Sequence, residues 1–575
     1  MSSTSTDSAV PSPVATELST EHAAAIADLR RGAEKLGKLG IGERQQLLLD
    51  CVAGVAQVWE EWVSAAWQAK RISPGDAACA EDITTGPVPT LRYLWLMHQT
   101  LDDIKRHGKP RLPAQPYEQN GHLRVPVFPT RNLYDRLMFG PIKAYVRMPK
   151  DTNADDLFGD GLKRATGGMN EPPSVALILG AGNISSIPIT DALTKIFQDN
   201  QAVLLKMNPV NEYVGPLFER AFRPLVDAGL LRIVYGGSGV GAALIAAEGV
   251  DRVHITGSDR THDAIVWGGS EQEQSQRKAA KTPKLDKPIT SELGNVSPWI
   301  VVPGQYTERQ LRFQAENVVA SVTSNASFNC IATKMLITSK TWPQRELFLK
   351  LIDETLARSA KRFAYYPGAK DRYAKFAGDD GVPNDDSDDS GILAWRFRRG
   401  VSINEEPHLC KEESFVCVFG ETSLDGESPT EFLNHAVDFA NDQMWGTLAA
   451  ALTVPRDFER TRNAELNKAV DRLKYGVVGI NQWPGVAFAL MSTPWGAFPG
   501  ATLDDIQSGI GSVHNTFLLN QPEQSVISSP LTIFPKPMWF STHRCAESVA
   551  RSLVNLYLHR TPWRIPPVLF HAMRG

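Results

Sequence analysis

Between Ser174 and Thr256, four short apolar runs alternate with stretches of helical periodicity. The runs are Ser174–Leu179, Ala202–Lys206, Arg232–Tyr235 and Arg252–Thr256; the spacers predict helices over about Ile187–Asp199, Tyr213–Ala228 and Val240–Glu248. Apolar runs this short fit strands buried on both faces rather than helices. Strands joined through helices pair in parallel, and the crossovers cover both faces of the sheet. Ligands bind such sheets at the carboxyl ends of the strands. Asn183, Lys206, Gly236–Gly241 and Gly257 all fall at or just past those ends.

A second α/β unit is expected from near Ile289 to about Leu519, with strands at Pro298–Val302, after Cys330 and at Gly446–Val454, and a helix at Glu308–Val322. Upstream, Leu48, Val52, Val55, Trp59, Trp62 and Ala66 recur at steps of three and four, the apolar stripe of a long amphipathic helix. Trp59, Trp62 and Trp67 are therefore expected to pack rather than to bind a ligand. The 575 residues exceed what one core supports, so several domains are expected. The reading is a disordered tail at 1–17, an α/β domain at 18–288, a second at 289–519 and an extension at 520–575. The aromatic, proline-rich extension is expected to pack on the body or on a partner subunit.

Composition excludes several classes. A net charge of −4 argues against nucleic acid as the main partner, which needs a basic face. No run approaches the roughly 20 apolar residues that span a bilayer. Met1–Ala15 is rich in Ser, Thr and Pro, with no basic region and no apolar core, so it reads as a tail and not a signal peptide. The expected location is cytoplasmic. The six cysteines lack the paired spacing of a zinc site, and no metal is expected. The acidic stretch Gly378–Ser390 lacks the alternating ligands of a calcium loop and reads as a solvated loop.

Three residues carry the chemistry. Cys330 is a nucleophile once ionised, Glu292 is a carboxylate able to activate a thiol or a water, and Asn183 is a donor for a developing oxyanion. Those are the parts of an acyl-transfer site. Gly236-Gly-Ser-Gly-Val-Gly241 follows a strand and opens a helix, as a phosphate-cradling loop does.

The order Asn183, Lys206, Thr256-Gly257-Ser258, Glu292, Cys330, Glu413-Ser414-Phe415 resembles the aldehyde dehydrogenase superfamily, over about residues 40–515. Asn481, Pro494-Trp-Gly-Ala and Ser508–Gly511 add to the resemblance. It implies an aldehyde dehydrogenase-like fold of two α/β domains, a Rossmann-like dinucleotide-binding domain at 18–288 and a catalytic thiol domain at 289–519, with a small oligomerisation element, expected at about 142–168, and a homodimer or homotetramer. It implies NAD or NADP as cofactor, held by Gly237, Gly241, Thr256, Gly257 and Leu293, with Ser258 beneath the pyrophosphate and nicotinamide. Lys206 would reach the adenosine ribose, Glu413 would hold the nicotinamide ribose and Phe415 would pack beside the ring. It implies oxidation of a small-molecule aldehyde through a thiohemiacetal and a thioester on Cys330. The oxyanion would be held by Asn183, and Glu292 would activate the hydrolytic water.

The sequence departs from the family twice. Pro209 stands where a ribose-binding glutamate is common, so a 2′-phosphate beside Lys206 would not be repelled and NADP use stays open. Gly182 stands where the family has tryptophan. Two other readings stay open: Cys330-Ile-Ala-Thr-Lys334 looks like the run of CoA-acylating relatives, and the chain could be an inactive dinucleotide-binding homologue. Phe328, Trp483 and Phe488 hint at an apolar or aromatic aldehyde.

Overall fold

The computed structural model describes residues 18–168, 171–378 and 391–575. The expected tail at 1–17 and all but the first residue of the acidic stretch lie outside them.

The alternation that opens the sequence becomes a six-stranded sheet. Its order is Gly509–Ile510, Ile289–Glu292, Arg252–Thr256, Val175–Leu179, Ala202–Lys206, Leu231–Val234. All neighbours are parallel except the short first strand. The chain's first strand therefore sits between its second and its fourth. Loops leaving the carboxyl ends of the first and fourth diverge there and open a crevice. The helices match the expected spacers at Ile187–Phe197 and Ser238–Ala246, while the middle one is broken into Gly215–Ala221 and Arg223–Asp227 before Pro224. Ile289–Glu292, which opens the expected second unit, pairs with Arg252–Thr256 in this first sheet.

The second sheet has ten strands. Six are parallel: Val477–Ile480, Ala449–Thr453, Ser297–Val301, Thr333–Ser339, Val418–Leu424 and Arg396–Arg398. Gln524–Ser528, from the C-terminal extension, adds in parallel to Val477–Ile480 and pairs on its other side, antiparallel, with Lys143–Arg147. His122–Phe128 and Tyr117–Gln119 complete the edge. No hairpin forms within 142–168. Lys143–Arg147 is the one strand there, and its antiparallel neighbour on that side is His122–Phe128. The polar insert that follows turns helical at Gly159–Ala165, where it has no alternating apolar face to bury.

The long helix is Ile41–Ala69, and its expected stripe is buried throughout. Glu43 accepts from the Gly40 N–H at 2.8 Å and so caps its first turn. It packs on Pro87–His107 and on Gly215–Ala221. Trp62 does more than fill the core: its Nε1 donates to Ser185 Oγ at 2.9 Å, two residues from Asn183. The helix Ala546–His559 of the extension packs on Cys79–Thr84 and Pro87–His107 of the same chain.

The packing of Ile41–Ala69 on Gly215–Ala221 depends on Gly54. A Cβ there would meet the Ala221 carbonyl oxygen at 1.9 Å. Gly54→Ala must force the helices apart and is expected to cost about 1–3 kcal/mol, read as a lowered thermal unfolding midpoint.

Candidate active site

Glu292 ends its strand at the junction of the two sheets, with its backbone carbonyl accepting from Gly257 and the next amide, Leu293 N–H, donating to Ser508 O. Cys330 comes from the other side, at the end of the loop between the helix Glu308–Thr323 and the strand Thr333–Ser339. The two meet: the Cys330 thiol donates to Glu292 Oε1 across 3.3 Å. Burial is the main cause that lifts the Glu292 carboxyl to about 8, with Asp191 adding to it. Burial first, then the charge of Glu292, raises the thiol well above its ordinary range. Both groups of this pair are thus pushed toward their protonated forms.

The loop that delivers Cys330 has an unusual backbone. Asn325, Ala326 and Ser327 have φ of 54°, 54° and 68°, three left-handed residues in a row and none of them glycine. Side chains hold them. Asn325 Nδ2 donates to Phe328 O at 2.8 Å and to Asn183 O at 3.0 Å, and the Asn325 N–H donates to Glu81 Oε2 at 2.9 Å. Glu81 is paired with Arg362 at 3.0 Å. The Tyr365 hydroxyl donates to Asn183 O at 3.0 Å and lies 3.1 Å from Asn325 Oδ1. Lys334 Nζ donates to Ser327 O and Oγ at 3.4 and 3.3 Å. Asn183 therefore sits against the nucleophile loop, with Nδ2 donating to Phe328 O at 3.1 Å and one amide N–H to spare.

Gly182 has a physical explanation. The Asn208 side chain fills the space before it, 2.7 Å from where a Cβ would stand, so no tryptophan fits.

The expected cofactor residues line the carboxyl edge of the first sheet. Lys206 is buried, and its ammonium makes no hydrogen bond among the described residues. Burial pulls its pKa down, and Glu212 opposes this. Gly237 caps the helix Ser238–Ala246, and Gly241 is buried on it. Thr256 donates to Asp191 Oδ2 at 2.9 Å. Gly257 is exposed, and Ser258 caps the helix Asp259–Val266 by accepting from Thr261 N–H at 3.2 Å. Glu413 lies against Gly294, its Oε1 buried without a partner; burial lifts it to about 7, and Lys334 opposes that. Phe415, expected beside a ring of the cofactor, packs on Tyr366 and Phe328 at centroid separations of 5.1 and 5.8 Å. The unpartnered Lys206 ammonium and Glu413 oxygen suit the hydroxyls of a dinucleotide. Among the described residues, no cluster could hold a metal, and no helix is long and apolar enough to cross a membrane.

The family model described as the aldehyde dehydrogenase family matches residues 169–359, which hold Asn183, Lys206, Glu292 and Cys330. Over that segment the chain is similar to the aldehyde dehydrogenase family. No curated protein sequence matches it. The fold match runs much further than the sequence match. A gamma-glutamyl-gamma-aminobutyraldehyde dehydrogenase from Burkholderia cenocepacia is 18% identical at a TM-score of 0.58, over 88% of this chain and 87% of that one. An indole-3-acetaldehyde dehydrogenase in complex with NAD+ is 17% identical at 0.56, over 88% of each chain. The glyceraldehyde-3-phosphate dehydrogenase GapN from Methanocaldococcus jannaschii, complexed with NADP, is 16% identical at 0.57, over 90% of this chain and 96% of that one. The aldehyde dehydrogenase fold is thus present at low identity.

Sequence reasoning on this aldehyde dehydrogenase-like chain missed Glu81, Tyr365, Asp191 and His254, which no motif contains. The geometry of the pair gives an expectation. Without cofactor, alkylation of Cys330 by iodoacetamide should be slow at neutral pH and rise into the alkaline range. Glu292→Gln should speed it at a given pH, because it removes the charge that opposes the thiolate. Mass-spectrometric labelling rates at this one cysteine decide it.

Proposed function

We propose that the chain is an NAD- or NADP-dependent aldehyde dehydrogenase that releases a carboxylic acid by hydrolysing a thioester on Cys330. The observation that carries this reading is the 3.3 Å contact of Cys330 Sγ with Glu292 Oε1. In that contact Glu292 takes the thiol proton, and the thiolate adds to the aldehyde carbon. The free amide N–H of Asn183 and the Cys330 backbone N–H hold the oxyanion; loss of one such donor costs about 10²–10³ in rate. The bound nicotinamide supplies the hydride acceptor. Glu292 then takes a proton from water, which attacks the thioester and expels the Cys330 thiolate; the remaining water proton, on the acid so formed, returns the sulfur to the thiol and leaves a carboxylate. Lys206 and Glu413, each with an unused polar atom, hold the two ribose groups, and Gly237, Gly241, Thr256, Gly257, Ser258, Leu293 and Phe415 line the rest. Pro209 leaves the 2′ side without a carboxylate at that position, while Glu212 acts on Lys206 from three residues further on. Trp483, whose Nε1 donates to Ile331 O at 3.2 Å, and the buried Phe328 give the thiol an apolar aromatic surround suited to an apolar aldehyde.

A base in contact with the thiol favours release to water over release to CoA, since it would hydrolyse the thioester that CoA needs. The test is an aldehyde panel with NAD and NADP in parallel, with and without CoA. Cofactor reduction and acid formation without CoA are expected; a strict requirement for CoA would overturn the hydrolytic step. Cys330→Ala should abolish turnover while cofactor binding persists, and Glu292→Gln should accumulate the thioester.

Glu292 works as a base only when ionised, so acid release should rise with pH through about 8. A flat pH–rate profile between neutral pH and that value would remove Glu292 from the rate-limiting step.

A further inference from the structure

A row of buried polar side chains stands behind Glu292 and has no part in the chemistry above. The helix Ile187–Phe197 lays Asp191 on the strand Arg252–Thr256. Asp191 Oδ2 accepts from Thr256 Oγ1 at 2.9 Å and lies 3.5 Å from His254 Nε2. The other ring nitrogen, His254 Nδ1, is 2.9 Å from Thr290 Oγ1. Thr256 is the register partner of Glu292, and His254 of Thr290, on adjoining parallel strands. Side chains two apart on a strand share a face, so these four stand in line on one side of the sheet. Asp191, His254, Thr256 and Glu292 are buried, and Thr290 is partly exposed. The row thus runs from Thr256, the register neighbour of Glu292, to the partly exposed Thr290.

Oxidation of an aldehyde by water and a nicotinamide cofactor yields a carboxylate, the reduced cofactor and two protons. One proton leaves the Cys330 sulfur as its bond to carbon forms. The other leaves water as the new C–O bond forms and the C–S bond breaks. Glu292 takes each in turn, so it must lose the first before it can take the second. Buried as it is, it needs an exit other than bulk water.

We propose that Asp191 and His254 are relay residues that act through Glu292 and carry these protons to the rim at Thr290. The proposal rests on the reading of Glu292 as the base. Glu292 hands its proton to the Thr256 hydroxyl as that hydroxyl gives its own to Asp191. The proton then enters the His254 ring at Nε2, and one leaves from Nδ1 by way of Thr290. The other titratable groups that face this cluster are Cys330, Glu413 and His514. His514 lies on Thr190 at 3.0 Å, and burial lowers its pKa to about 4, so it carries no charge at neutral pH.

Asp191→Asn and His254→Gln keep the volume and hydrogen-bonding reach of each side chain but carry no proton. In each, kcat should fall about ten- to a hundredfold, the scale of lost proton-transfer catalysis, with KM and the unfolding midpoint close to those of the unmutated protein. A burst of one reduced cofactor per site should precede the slow phase, the solvent deuterium isotope effect on kcat should grow, and added imidazole should restore part of the rate to His254→Ala. Unchanged kcat and isotope effect would overturn the relay. So would a loss of burst and of thermal stability in step, which would make the cluster a mere tie between helix and sheet. If the unmutated protein itself forms no thioester and Cys330→Ala behaves like it, the reading of the base fails, and the relay with it. That case is recognisable because the failure is already present before Asp191 or His254 is changed.

Discussion

Asn325 is the residue on which the geometry of the site turns. An L-residue in the left-handed region costs roughly 1–2 kcal/mol, less for asparagine, and here three such residues follow one another. Nothing in their own chemistry would keep Ala326 and Ser327 there. The Asn325 side chain spans the carbonyls of Asn183 and Phe328, while Glu81 takes its backbone N–H. Contacts from two distant parts of the chain, Glu81 and Asn183, therefore fix one strained turn, and the turn fixes the thiol. Glu292 ends a strand of the first sheet and Cys330 lies in the loop that leads into a strand of the second, so their 3.3 Å hydrogen bond also ties the two sheets together.

Burial sets the electrical state of the pair and its surroundings. Cys330, Glu292, Glu413 and Lys334 all sit where the charged form of each is disfavoured. The thiol and both carboxyls are pushed up, while the lysine is pulled down to about 8. The thiol keeps its proton and points it at the neighbouring carboxyl. Such an arrangement protects the nucleophile from adventitious chemistry until something shifts the local field.

Much of the first sheet was legible because its strands are short apolar runs punctuated by helices; Ala202–Lys206 and Arg252–Thr256 coincide with their runs residue for residue. Cys330, Glu292 and Asn183 were legible by type and order, since each brings a chemical function that few other residues supply. What escaped was whatever depends on distant partners. Glu81 and Tyr365 look like ordinary surface candidates in sequence, yet both end on the nucleophile loop. Asp191 lies in a helix whose residues are buried all round, so no polar face marked it out. His254 interrupts an apolar strand, a signal that could have been read, but its partner lies 63 residues upstream. Within 142–168, the strand Lys143–Arg147 pairs with residues beyond 520, a partner that periodicity cannot reveal.

That pairing has a consequence for how the polypeptide is made. Lys143–Arg147 has His122–Phe128 on one side, but on the other it pairs with Gln524–Ser528, and the Arg147–Glu523 contact spans 376 residues of sequence. Loops of that size close slowly, because the chain entropy is lost before any contact is gained. On a ribosome, the three antiparallel strands between Tyr117 and Arg147 must wait, with one edge open, until residues 524–528 have been synthesised. An open edge of this kind invites pairing with other chains. Gln524–Ser528 is in that sense the piece that joins the two parts of the larger sheet, and the order of synthesis leaves the edge at Lys143–Arg147 exposed until it emerges.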